Sequence, residues 1–257
     1  MIGSFKGCLA LFVAAGLWSA TALCAGPDPS SWSYTGNTGP AKWGKMAKEF
    51  AACGTGELQS PIDIPDAHVR KGDIPAMLFN YKPSPLSIVD DGHTIRVNYA
   101  PGSYVNNNGK RYDLVAIEFH KPGEEKVNGK GHEMSAHLIH KDKDNKVAII
   151  AVLLDQGAEN ELLKTLWSNL PTTKGKESIV DSVTINAVGL LPKRKGYYTY
   201  AGSLTAPPCT EGVTWFVMQE PVPVSAEQVA RFGRLYPMNA RPVQPRNDRD
   251  ILGSPLP

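Results

Sequence analysis

The clearest pattern along the chain is alternation. In Thr94-Ile95-Arg96-Val97-Asn98-Tyr99 the apolar residues fall on every second position, the period of a strand with one buried face. The turn signal Asn106-Asn107-Asn108-Gly109 follows. A second alternating run then extends from Tyr112 to His120, with Phe119, Ile117 and Val115 expected on its core face. Met134 to His140 reads as another strand, and the unbroken apolar stretch Val147 to Leu154 as one buried on both faces. Helical spacing is confined to two segments. Glu161 to Leu170 puts Leu162, Leu166 and Leu170 on one stripe that Pro171 ends. Ser225, with Gln228 three residues on, forms a capping box for a helix through Leu235. Residues 26–57, rich in Gly, Pro, Ser and Trp, read as a loop-rich arm. Many strands, few helices, no repeat and no linker predict a single, mainly β domain whose central sheet is mostly antiparallel.

Composition changes this picture at the termini and in the choice of partners. The chain has 257 residues and a formal net charge of +2, which gives no electrostatic footprint for nucleic acid or an anionic membrane. Lys6, the apolar stretch Cys8 to Leu17 and the small residues Ala20-Thr21-Ala22 form the three regions of a secretory signal peptide. Cleavage is expected after Ala22 or Ala25, with residues 26–257 forming the mature domain. The apolar run is too short to span a bilayer comfortably, and bulky Leu23 argues against lipidation at Cys24. A periplasmic or secreted location follows. Cys53 and Cys209 remain in the domain, and in an oxidising compartment they are candidates for one disulfide, worth about 4–5 kcal/mol in the chain-entropy model. Two separate buried thiols are the alternative.

Candidate chemistry centres on Glu118-Phe119-His120. On a strand, residues two apart share a face, so Glu118 and His120 project together. His137 lies on a later strand. If the two strands are neighbours, these side chains can converge on one cation, and three protein ligands with an open fourth position describe a catalytic zinc site. On spacing alone, hydrogen-bonded structural histidines account for the same residues.

Several blocks, in order and spread over about residues 32–246, resemble those of α-carbonic anhydrases. They are Trp32-Ser33-Tyr34, the run from Gly39 to Gly44, QSPIDI at 59–64, DGHTIRVNY at 91–99 and EFHKPGEE at 118–125. AHLIHKD at 136–142, YAGSLTAPPCTEGVTW at 200–215 and RPVQPRNDR at 241–249 complete the set. The resemblance implies a large twisted, mainly antiparallel sheet with peripheral short helices. It also implies reversible hydration of carbon dioxide to bicarbonate by a zinc-bound hydroxide. It matches His120 and His137 to zinc ligands, Thr205 and Glu124 to the pair that orients the hydroxide, and His93 to the proton shuttle. Ile139, Ile149, Leu204 and Trp215 match the apolar wall where carbon dioxide sits, and Tyr34 the solvent network. Cys53 and Cys209 match a disulfide of bacterial secreted members. Read without the resemblance, His93 is a turn residue after Asp91-Gly92, and Thr205 a loop residue bonding its own backbone.

The metal site departs from the family pattern. Glu118 stands where the first histidine ligand is expected, Ala116 where an amide orients that ligand, and Ser135 where a glutamate orients the third. Glu125 replaces the histidine after Glu124, Arg96 replaces a pocket amide and Ala206 a pocket threonine. Loss of orienting partners weakens metal binding by about 10–100-fold each. Glu118 can itself complete a His₂Glu zinc site, or pair with Arg96 and leave a non-catalytic binding or scaffold module without metal. Copper is a further candidate for the same donors. Oligomeric state has no signal in the sequence.

Overall fold

The computed structural model describes residues 31–254; the expected signal peptide at 1–25, with Cys8 and Cys24, lies outside them. A 13-stranded sheet organises the chain. Its central strands are β1 (Ser84–Asp90), β2 (Ile95–Asn98), β3 (Lys110–His120), β4 (Met134–Lys141), β5 (Val147–Gln156), β6 (Ser178–Ile185), β7 (Tyr197–Ser203) and β8 (Glu211–Met218). In space they run β6-β1-β2-β3-β4-β5-β8-β7, and the strands Ile251–Gly253 and Val69–Lys71 continue past β7. Neighbours within the eight are antiparallel except β5 and β8, so the mostly antiparallel expectation holds.

The continuous apolar run of β5 is explained by its position. Ala148, Ile150, Val152 and Leu154 enter the larger core cluster, while Ile149, Ala151 and Leu153 enter a second cluster on the opposite face. Two covered faces require apolar side chains at successive positions. On the larger-core side lie α3 (Glu161–Ser168) and α4 (Ala226–Leu235), which bury Leu163, Leu166, Trp167 and Phe232 against the sheet. Ser225 and Gln228 of α4 make both bonds of the expected capping box. Helix α3 stops two residues short of the predicted Leu170, because the residue before Pro171 is disfavoured in helical conformation. The second face of the sheet carries the smaller cluster and the site.

Two expectations need correction. Val115 does not continue the core face of β3. Leu114 pairs with His140 and Ala116 with Ile139, so Val115 is the extra residue of a β-bulge. The bulge reverses the facing of everything before it: Tyr112 and Leu114 fill the core, together with Ile117 and Phe119 beyond the bulge. The N-terminal arm also contains short helices, α1 (Trp43–Met46) and α2 (Ala52–Thr55). Trp43 and, from the turn between them, Phe50 pack against a Cys53–Cys209 disulfide. That bond ties the arm to the loop between β7 and β8, which carries Thr205.

Candidate active site

Strand register assembles the site. Glu118 and His120 point to the second face of β3, where Glu118 lies opposite Arg96 of β2 on one side and His137 of β4 on the other. Directly opposed residues stand about 4.5–5.5 Å apart at Cβ, so Arg96, Glu118 and His137 form one row across three strands. The carboxylate of Glu118 turns toward β2, where Oε1 accepts a hydrogen bond from Arg96 Nη1 in an ion pair. Arg96 Nε donates to Asn98 Oδ1 at 3.0 Å, and Asn98 Nδ2 donates to Glu177 at 2.7 Å. The guanidinium is therefore braced from the strand edge as well.

The two histidines are fixed from behind. His120 Nδ1 donates to the Asn239 carbonyl at 2.9 Å, which leaves Nε2 as the bare lone pair. That atom is buried and has no hydrogen-bond partner among the described residues. His137 Nε2 lies 2.8 Å from Glu125 Oε1 and 3.5 Å from Ser135 Oγ, while Nδ1 lies 3.8 Å from Glu124 Oε2. The ring centroids are 4.5 Å apart. Glu124 sits beside both, with Oε1 accepting from the Arg241 backbone N–H at 2.7 Å and Oε2 buried without a partner. Donor atoms of His120, Glu124 and His137 lie within 4.8 Å of one another. The geometric cluster thus contains two of the expected ligands and Glu124, while Glu118 stands at its rim on Arg96.

Charge within this buried group is settled by contact. Burial pushes the His137 imidazole down, but the Glu125 carboxylate, by charge and hydrogen bond, outweighs it with help from Glu124 and Glu118, and the pKa ends above the ordinary value. Burial likewise pushes Glu125 up and His137 more than reverses it. His93 is half-buried and stacked on Trp32, centroids 3.7 Å apart. Burial lowers its pKa, against the pull of Asp91. Its backbone N–H is also held by Asp91 Oδ1 at 2.8 Å, so His93 is both a turn residue and a cleft residue.

A cleft of about 360 Å³ opens over the cluster, lined by Tyr34, His93, Ile139, Ile149, Leu204 and Thr205 among others. Trp215 is fully buried, edge-on to His137 at 5.0 Å, with Nε1 donating to the Ser203 carbonyl.

A model of the eukaryotic-type carbonic anhydrase family matches residues 38–255. The chain belongs to the α-carbonic anhydrase family. A carbonic anhydrase of Nostoc sp. is 38% identical over 227 residues, covering 86% of this chain and 85% of the relative. One from Neisseria gonorrhoeae is 39% identical, covering 91% and 92%. The structure of a hyperthermostable carbonic anhydrase from a hydrothermal vent chimney superposes with a TM-score of 0.83 at 42% identity, covering 87% of this chain and all of that one. No helix among the described residues is long and apolar enough to cross a membrane.

Within this α-carbonic anhydrase, the expectation that His137 lacks an orienting partner is overturned. Ser135 cannot supply the carboxylate, but Glu125 does so from the loop after β3. The replacements at 125 and 135 were both visible in the sequence, and only the fold shows that they face the same nitrogen. The Asn239 carbonyl and Arg241 N–H left no sequence signal, because backbone groups carry none.

Proposed function

We propose that this protein is an exported carbonic anhydrase that hydrates carbon dioxide at a zinc ion held by His120, His137 and a carboxylate. The observation that carries the reading is the buried, unpartnered Nε2 of His120, in a ring whose centroid lies 4.5 Å from that of His137. An imidazole nitrogen is costly to bury bare, and with His137 and Glu118 on the same face His120 belongs to a donor set that suits zinc. When bound, zinc supplies the Lewis acidity that makes water nucleophilic near neutral pH.

The chain's own residues account for the remaining requirements. Glu124 is anchored on Arg241 N–H and keeps a buried oxygen without a partner, and the reading assigns the Thr205 hydroxyl as its donor, which sets the direction in which that hydroxyl can itself accept. Ile139, Ile149 and Leu204 give carbon dioxide an apolar wall. His93, between the cleft and solvent, moves protons out. The Cys53–Cys209 bond supports a periplasmic or secreted location.

A second reading rests on one specific observation, the Arg96–Glu118 ion pair. If zinc does not displace it, the chain is a metal-free binding or scaffold member of the family. Zinc content after removal and restoration of metal, measured with carbon dioxide hydration, separates the two. The proposal expects about one zinc per chain, loss of metal in His120→Ala, and a hydration rate that appears only with zinc. A protein that holds no zinc at micromolar metal refutes it.

A further inference from the structure

We propose that Glu125 is the positioning residue of His137, and that the Glu125–Ser135 combination is a functional unit in which the carboxylate serving this ligand comes from the loop and not from the ligand's own strand. The inference rests on the zinc reading above for its consequence, but its geometry stands apart from any metal.

Three observations support it. Glu125 is fully buried, and Oε1 lies 2.8 Å from His137 Nε2. Ser135, two residues before His137 on β4, faces the same nitrogen from 3.5 Å, beyond the usual range for a strong bond. Its Oγ instead accepts from the Glu124 backbone N–H at 3.3 Å. One nitrogen is therefore approached from two directions, and only one of them offers a carboxylate. Two carboxylates converging there would repel each other in a site sealed from water, so a glutamate in the loop and a small hydroxyl on the strand form a consistent pair. A ligand imidazole held by a carboxylate has its proton fixed on Nε2, its ring orientation fixed, and a more basic Nδ1.

The test uses zinc affinity, measured by chelator competition on the full mature protein, in Glu125→Ala, Glu125→Gln and each variant combined with Ser135→Glu. Loss of the carboxylate is expected to weaken zinc by about 10–100-fold. Returning it from residue 135 is expected to recover most of that loss, while Ser135→Glu alone weakens zinc. A residue acting only through packing would not be rescued from a different strand position. The isosteric Glu125→Gln serves if Glu125→Ala fails to fold. Glu125 variants that bind zinc within about twofold of wild type, or a double variant no better than the single, would overturn the proposal. If wild type itself takes no zinc, the functional reading fails and this one is decided by ¹⁵N NMR of the histidine rings at alkaline pH. The expected result is His137 protonated at Nε2, with that preference lost in Glu125→Ala. An unchanged tautomer would refute it.

Discussion

Replacing Arg96 with Gln removes the guanidinium to which Glu118 is bonded and leaves the carboxylate free to turn toward the histidines. The magnitude follows from the exposure of the pair. The side chains are 32% and 22% accessible, so the interaction is neither a surface pair of negligible value nor a sealed one. A hydrogen bond between charged groups is worth about 1.5–3 kcal/mol when protected, and exposed pairs fall to about 0–1 kcal/mol. A value of about 1–2 kcal/mol is appropriate at intermediate exposure. Zinc must overcome this before Glu118 can ligate, so the variant is expected to bind zinc about 5–30-fold more tightly, at about 1.4 kcal/mol per tenfold. Water replaces the lost partner because the carboxylate is already partly solvated. The assay is chelator competition with purified wild type and Arg96→Gln at fixed ionic strength. The same replacement in a Glu118→His background is expected to change zinc affinity much less, which isolates the pair as the cause. Equal or weaker zinc binding in Arg96→Gln would show that Glu118 does not serve the metal.

Three further outcomes are expected. Glu118→His replaces an anionic donor with a neutral one, so the bound water should become more acidic; stopped-flow hydration should show a higher rate and a midpoint moved to lower pH. His140 is fully buried, its Nδ1 donating to the Leu138 carbonyl and its Nε2 2.9 Å from the Tyr81 hydroxyl, and burial lowers its pKa to about 4. Because the unfolded chain binds this proton near pH 6.5 and the folded chain only near 4, stability is full above the unfolded value. It falls as pH drops from about 6.5 to about 4, by about 3 kcal/mol in all, and denaturant titration of wild type and His140→Gln should show a flatter profile in the variant. Replacing both Cys53 and Cys209 with Ser opens a loop between residues 156 positions apart and should cost up to about 5 kcal/mol in urea unfolding.

How much of this was legible in the sequence depended on whether the cause was local. The strands of the site face were readable because alternation is a property of neighbouring residues, and the capping box of α4 because its partners lie three residues apart. The bulge at Val115 was not, since an extra residue in one strand is defined only by the strand beside it. The site shows the same division. His120, His137 and Glu124 were identifiable from their blocks, whereas the Glu125–His137 bond required the loop after β3 to fold back beside β4. Arg96 and Glu118 could be paired as a hypothesis from chemistry, but their direct opposition on β2 and β3 is a matter of register.

We propose that a site with one carboxylate among its ligands still performs zinc chemistry on carbon dioxide. Stopped-flow hydration of the same protein preparation, first stripped of metal and then restored with one equivalent of zinc, tests it most directly. The expected result is a rate indistinguishable from buffer in the stripped protein and a clear zinc-dependent rate after restoration; a buffer rate in both states, with the protein folded, would overturn the zinc reading.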